Sequence, residues 1–211
     1  MKQPNSTATS ALMLRETASQ TAGPFVHIGL ALDVAGLPLR EEEIWNRMAT
    51  PEADGVAIEV VGRVFDGNDD LVRDALLEAW QADAYGEYQC AFDLEKPFNS
   101  FGRTATSAVG DSEWSLITVK PGRVTAANGK PMAPHINLTI FARGINIHLH
   151  TRLYFDDERE ANAACPILNA VESPARRQTL IARREESEGG KPRYRLDIRL
   201  QGEGETVFFD F

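Results

Sequence analysis

From residue 56 onward the chain breaks into short apolar and polar runs, and several of them alternate with a period of two. In His135–Ala142 (HINLTIFA), Ile136, Leu138 and Ile140 fall on one side and His135, Asn137 and Thr139 on the other, which is the mark of a half-buried strand. Ile145–Phe155 (INIHLHTRLYF) begins the same way and continues for a strand's length. Val56–Phe65 (VAIEVVGRVF) is rich in β-branched residues and stops at Asp66-Gly67-Asn68-Asp69, a turn of the kind that joins strands. Ala75–Ala82 (ALLEAWQA) has helical propensity but lies between two turns in a chain patterned as strands, and is expected as a strand. Trp114–Val119, ending at Lys120-Pro121-Gly122, Gln178–Arg184 and Arg193–Leu200 complete the set, followed by a turn over 201–206 and a final VFFDF. Helix is expected in Asp156–Cys165 and as a short turn in Arg40–Met48. About seven or eight short strands with little helix predict an all-β fold, an antiparallel β-sandwich with short helices.

Composition narrows the class. A length of 211 residues suits one domain. Hydrophobic residues at 43% and charged residues at 25% give a soluble globular chain able to bury a core. A net charge of -9 argues against nucleic-acid binding, which depends on Lys and Arg neutralising phosphate. Cys90 and Cys165 stand far apart in no metal-type spacing and are expected as buried, reduced thiols of a cytoplasmic protein. No apolar stretch approaches the roughly 20 residues of a membrane helix. Ala11-Leu12-Met13-Leu14 is too short for a signal-peptide core. Residues 1–22, rich in Ser, Thr, Ala and Gln with no sustained period, read as an extended N-terminal arm that is either disordered or ordered against something else, with the domain over 23–211. There is no Gly-rich phosphate loop, no Ser elbow and no CxxC.

The histidines are His27, His135, His148 and His150. His148 and His150, at i and i+2 of a strand, point to one face and could share a metal. A pair lacks a full ligand set, and nothing nearby in sequence supplies a third donor, so a polar stripe on an amphipathic strand is the simpler reading. His135 alone would be an ordinary core or edge histidine.

Several blocks occur in order along the chain: Gln20-Thr21-Ala22-Gly23-Pro24, Asp66-Gly67, Glu78-Ala79-Trp80-Gln81-Ala82-Asp83, Gly86-Glu87-Tyr88, Phe101-Gly102-Arg103, Thr118-Val119-Lys120-Pro121-Gly122 and Ala133-Pro134-His135-Ile136. Each is weak alone. Together they resemble the intradiol catechol dioxygenases over nearly the whole chain from about residue 16.

Catalytic members of that family hold a ferric ion with two tyrosinates and two histidines, hard phenolates favouring Fe(III). The resemblance places these ligands at Tyr88, Val124, His135 and Asn137, so half the set is missing. Tyr88 and His135 are then expected as packing or hydrogen-bonding residues of a dead pocket, and no iron is expected in this chain. In two-subunit members, one type of chain lines a pocket whose iron lies in a homologous beta subunit. The resemblance carries that lining role to Thr21, Pro24 and Arg143, with Arg143 facing the carboxylate of protocatechuate and O2 consumed at the shared site. Without the resemblance, Arg143 reads as a surface or interface salt bridge, and Thr21 and Pro24 as a turn at the end of the arm. Two rivals remain: an independent iron enzyme using Tyr88, His135, His148 and His150, and a binding module with no enzymatic partner.

Overall fold

A computed structural model describes residues 17–41, 43–107, 110–186 and 190–210. Ten strands, β1 (Ala57–Gly62), β2 (Val64–Phe65), β3 (Leu76–Gln81), β4 (Phe101–Ala105), β5 (Trp114–Val119), β6 (His135–Phe141), β7 (Leu149–Phe155), β8 (Ile181–Glu185), β9 (Arg193–Arg195) and β10 (Ile198–Arg199), carry the fold. Eight of them form one sheet in the order β4-β3-β6-β7-β8-β9-β1-β5. The sheet folds over on itself. Ile58, Val60, Trp114, Leu116 and Tyr194 from one half meet Leu77, Ala79, Ile136, Leu138, Ile140 and Leu153 from the other in a single buried core, the arrangement of a sandwich. The period-two residues Ile136, Leu138 and Ile140 are 1% exposed or less, so the alternation read in the sequence is the inner face of β6.

Antiparallel pairing holds for β1·β5, β3·β4, β3·β6, β6·β7 and β8·β9. Three pairings are parallel: β1·β9, β2·β10 and β7·β8. The first two are one ladder. Val61 stands opposite Arg195 and Val64 opposite Ile198, a constant offset, and at the break the Arg63 amide donates to the Asp197 carboxylate at 3.0 Å. The expected runs 56–65 and 193–200 are therefore each interrupted once, at the same level.

Three expectations are corrected. Among its described residues Arg40–Met48 makes no helix, because the backbone of Trp45–Ala49 bonds to both outermost strands of the sheet. Trp45 O accepts from Arg103 N of β4 at 2.9 Å, while Met48 N donates to Ile117 O of β5, and Ile117 N to Asn46 O, both at 2.8 Å. This segment is a seam that sews the two ends of the sheet together, and tertiary bonding overrides its helical propensity. Gly102 leaves room for it: a Cβ there would lie 2.4 Å from Met48 Cγ. The run expected from Ile145 begins only at Leu149, because Ala142–Ile145 is a turn, with Ile145 N donating to Ala142 O at 3.3 Å and Gly144 at φ +84°. Cys90 is exposed, whereas Cys165 is buried as expected, and both are free thiols.

Four short helices accompany the strands among the described residues. α1 (Val26–Leu30) packs with Leu76, Ala105 and Phe141 on one flank. α2 (Arg159–Ala164), α3 (Pro166–Ala170) and α4 (Pro174–Gln178) fill the crossover from β7 to β8 that parallel pairing requires. They bury Cys165 and Leu168 against Tyr154, Met132 and Ala133 on the outer side of the sheet. Of the expected arm, only residues 17–22 lie among the described residues.

Candidate functional site

The outer face of β6 and β7 carries the positions singled out by sequence. His135 stands opposite Tyr154 and Asn137 opposite Arg152, so all four side chains share one face. His135 is 2% exposed. Its Nδ1 lies 2.8 Å from Ala133 O, so Nδ1 carries the proton and donates, leaving Nε2 as a bare lone pair. That Nε2 is buried with no hydrogen-bond partner. Burial, aided by the Arg152 charge, pushes His135 down to about 4, against the pull of the Ala133 carbonyl.

Tyr88 arrives from a loop. Its ring stacks on Trp80 at 5.7 Å between centroids, the planes 4° apart, and its hydroxyl lies beside the Asn137 amide. Partial burial raises the Tyr88 phenol above its ordinary range, while Asn137 and the Arg152 charge oppose the rise. The Asn137 amide also donates to Trp80 O at 3.1 Å. Arg152 Nη1 donates toward Met132 Sδ at 3.5 Å, and its guanidinium lies beside Tyr154, whose phenol burial drives strongly upward.

Val124 reaches this region on a neighbouring loop and packs among Met132, Ala133 and Tyr154. The loops bearing Tyr88 and Val124 touch backbone to backbone. Gly86 sits at φ +87°, and a Cβ there would come within 2.2 Å of Arg123 O; one on Gly122 would come within 2.6 Å of Ala84 O. Asp83 organises both loops. Its Oδ1 accepts from Tyr85 N and Glu87 N, each at 2.9 Å, and its carbonyl accepts from Gly122 N at 2.7 Å.

The second set of residues gathers at the Ala142–Ile145 turn. Thr21 Oγ1 accepts from Gly144 N at 2.8 Å and donates to Ala142 O at 3.4 Å. Ser19 Oγ donates to Asn146 O at 2.7 Å. The chain before the domain is thus fastened to the turn whose outer corner is Arg143. Arg143 Nε pairs with Asp74 at 2.5 Å, with the arginine side chain 63% exposed and the aspartate 11%. Pro24 is exposed in the turn leading into α1, beside Phe25 at 73% exposure.

His148 and His150 form a different cluster. Their rings meet edge to face at 4.6 Å, and His148 lies against Phe141 at 5.5 Å. His150 Nδ1 is 3.2 Å from Thr139 Oγ1. Burial, with His148 as neighbour, lowers His150 below its ordinary value. His150 stands opposite Thr139 and His135 opposite Tyr154 on the same ladder, so the two histidine sites lie about 13 Å apart at 3.3–3.4 Å per residue. They do not converge with Tyr88 and His135. Among the described residues no group of three or more His, Cys, Asp and Glu stands together as a metal site.

This sandwich, with a Tyr–His half-set on its outer face, has the construction of a ring-cleaving dioxygenase. Residues 31–202 match the dioxygenase family, and the chain belongs to it, in the intradiol branch. It is 67% identical over 199 residues to the protocatechuate 3,4-dioxygenase alpha chain of Pseudomonas putida, covering 94% of this chain and 98% of that one. It is 33% identical over 180 residues to the protocatechuate 3,4-dioxygenase beta chain of Burkholderia cepacia, covering 80% and 74%. Its fold is that of catechol 1,2-dioxygenase from Pseudomonas arvilla C-1, with a TM-score of 0.54 at 21% identity over 74% of this chain and 55% of the other.

Iron is the metal that this family implies, and the donor set here does not fit it. Val124 offers only hydrocarbon, the Asn137 amide nitrogen donates to Trp80 O, and a guanidinium bears on both remaining donors. Sequence reasoning missed Arg152, Asp74 and the Asp83 hub. Arg152 was in view, two places from both His150 and Tyr154, in phase with the outward face of its strand. Asp74 had no local signal.

Proposed function

We propose that this chain is the alpha subunit of a protocatechuate 3,4-dioxygenase, pairing with a homologous beta subunit whose ferric ion supplies the redox chemistry. The assembly opens protocatechuate between its two hydroxyl-bearing carbons with O2, giving 3-carboxy-cis,cis-muconate. The observation that carries this reading is the 67% identity to an alpha chain across nearly the full length of both, and the incomplete donor set agrees with it. The pair is homologous on both sides, since the chain also aligns with a beta chain. A cytoplasmic setting, with both thiols free, belongs to the same proposal.

Within it, this chain binds and orients. Arg143 takes the substrate carboxylate with a planar fork of donors suited to that anion. Asp74, holding Nε, sets the direction of the guanidinium and leaves its charge at the surface. Thr21 fixes the turn on both sides of Arg143, and Pro24 lines the wall.

Co-expression with a beta-type chain tests the reading. A stable complex that consumes O2 with protocatechuate, beside an alpha chain that purifies without iron, is the expected result. Stoichiometric ferric iron with a tyrosinate band in the alpha chain alone would overturn it, and failure to form any complex would favour a stand-alone binding module.

A further inference from the structure

We infer that Arg152 is the residue that keeps a metal ion out of the Tyr88–His135 pocket, its guanidinium serving there as a built-in cation. The inference rests on the iron-free reading above and names what enforces it.

Loss of Val124 and Asn137 as donors is not by itself enough to close the pocket, because the two survivors are still prepared for a metal. His135 keeps the tautomer that exposes Nε2, oriented by the Ala133 carbonyl at 2.8 Å, and that nitrogen is buried with no hydrogen-bond partner. Tyr88 is held by its stack on Trp80. A histidine, a phenolate and water ligands could together retain an ion.

Arg152 changes the electrostatics. It stands opposite Asn137 on the neighbouring strand, in phase with Tyr154. Its guanidinium is tied to Met132 Sδ and lies beside the Tyr154 hydroxyl, and its charge bears on Tyr88, His135 and Tyr154 together. A guanidinium does not give up its proton in a protein. The pocket therefore carries a permanent positive charge, which repels a cation at any pH.

The test rebuilds the donors in the intact alpha–beta complex, with Val124→Tyr and Asn137→His introduced together. With Arg152 retained, iron per alpha–beta pair stays at the unsubstituted level. Adding Arg152→Gln doubles it and adds a second tyrosinate-to-iron absorption. Adding Arg152→Lys, which keeps the charge and changes the shape, leaves it low. Iron uptake with Arg152 in place, uptake by the lysine variant, or no uptake in the glutamine variant each overturns the inference. Iron already present in the unsubstituted alpha chain would be a separate result, overturning the iron-free reading itself.

Discussion

Thr21 grips the backbone on both sides of Arg143, accepting from the Gly144 amide at 2.8 Å and donating to the Ala142 carbonyl at 3.4 Å. A residue near the start of the chain thus sets the geometry of a cation more than a hundred residues away. In the assembled enzyme, Arg143→Ala is expected to weaken protocatechuate by about 1.5–3 kcal/mol, the loss of one charge-assisted hydrogen bond. Plain catechol, which has no carboxylate, should be nearly unaffected. Equal losses for the two would remove Arg143 from the carboxylate.

Thr21→Val keeps the shape and deletes both hydroxyl bonds. It should raise KM for protocatechuate roughly three- to tenfold, for about 1 kcal/mol of lost positioning, with kcat little changed. Thr21→Ser should restore most of the loss. A kcat defect without a KM change would show that Thr21 acts elsewhere.

His135 makes the fold sensitive to acid. Its pKa, 6.5 when unperturbed, is pushed down to about 4 by burial and by the cation of Arg152. The folded state takes up this proton later than the unfolded chain, so stability is complete above about 6.5 and drains away as pH falls toward 4. The total is about 3 kcal/mol for this one group. Denaturant midpoints measured across that window should fall in the native chain and fall much less in His135→Gln. Identical slopes would exclude the histidine as the cause.

Gly86 lets the Tyr88 loop cross the Val124 loop. Its φ of +87° and the 2.2 Å approach of a Cβ to Arg123 O make Gly86→Ala destabilising by about 2–4 kcal/mol, read as a drop in Tm with loss of the alpha–beta complex. At Asp83 the accepting atom is Oδ1. Asp83→Asn, which keeps that oxygen, should therefore be close to neutral, while Asp83→Ala should cost about 1–2 kcal/mol.

The core was legible because alternation is a local property: Ile136, Leu138 and Ile140 announce one face of β6 within a few residues. β4 was not recognised, since FGRTA contains a glycine and two polar residues. Its partners Leu76–Trp80 lie far away in sequence. The helix turn expected in Arg40–Met48 fails for the same reason, the backbone bonds of this stretch being tertiary. α3 and α4 did carry signals that went unused, with proline in the first turn of each and Ser173 capping α4 through Arg176 N at 3.4 Å. At the ligand positions, sequence blocks located Tyr88, Val124, His135 and Asn137. Arg152 stayed hidden because its effect depends on strand register, and Asp74 because ion pairing between distant segments leaves no periodic trace.

The seam at Trp45–Ala49 bears on how this molecule can recognise others. Where the terminal strands are bonded to this segment, at Arg103 and Ile117, a foreign strand cannot be laid on the same backbone groups. A companion must then be chosen by contour and charge of side chains, a vocabulary that single substitutions can rewrite without disturbing the ladder beneath. Two sister chains descended from one ancestor could by this route come to prefer each other over themselves while keeping the same frame.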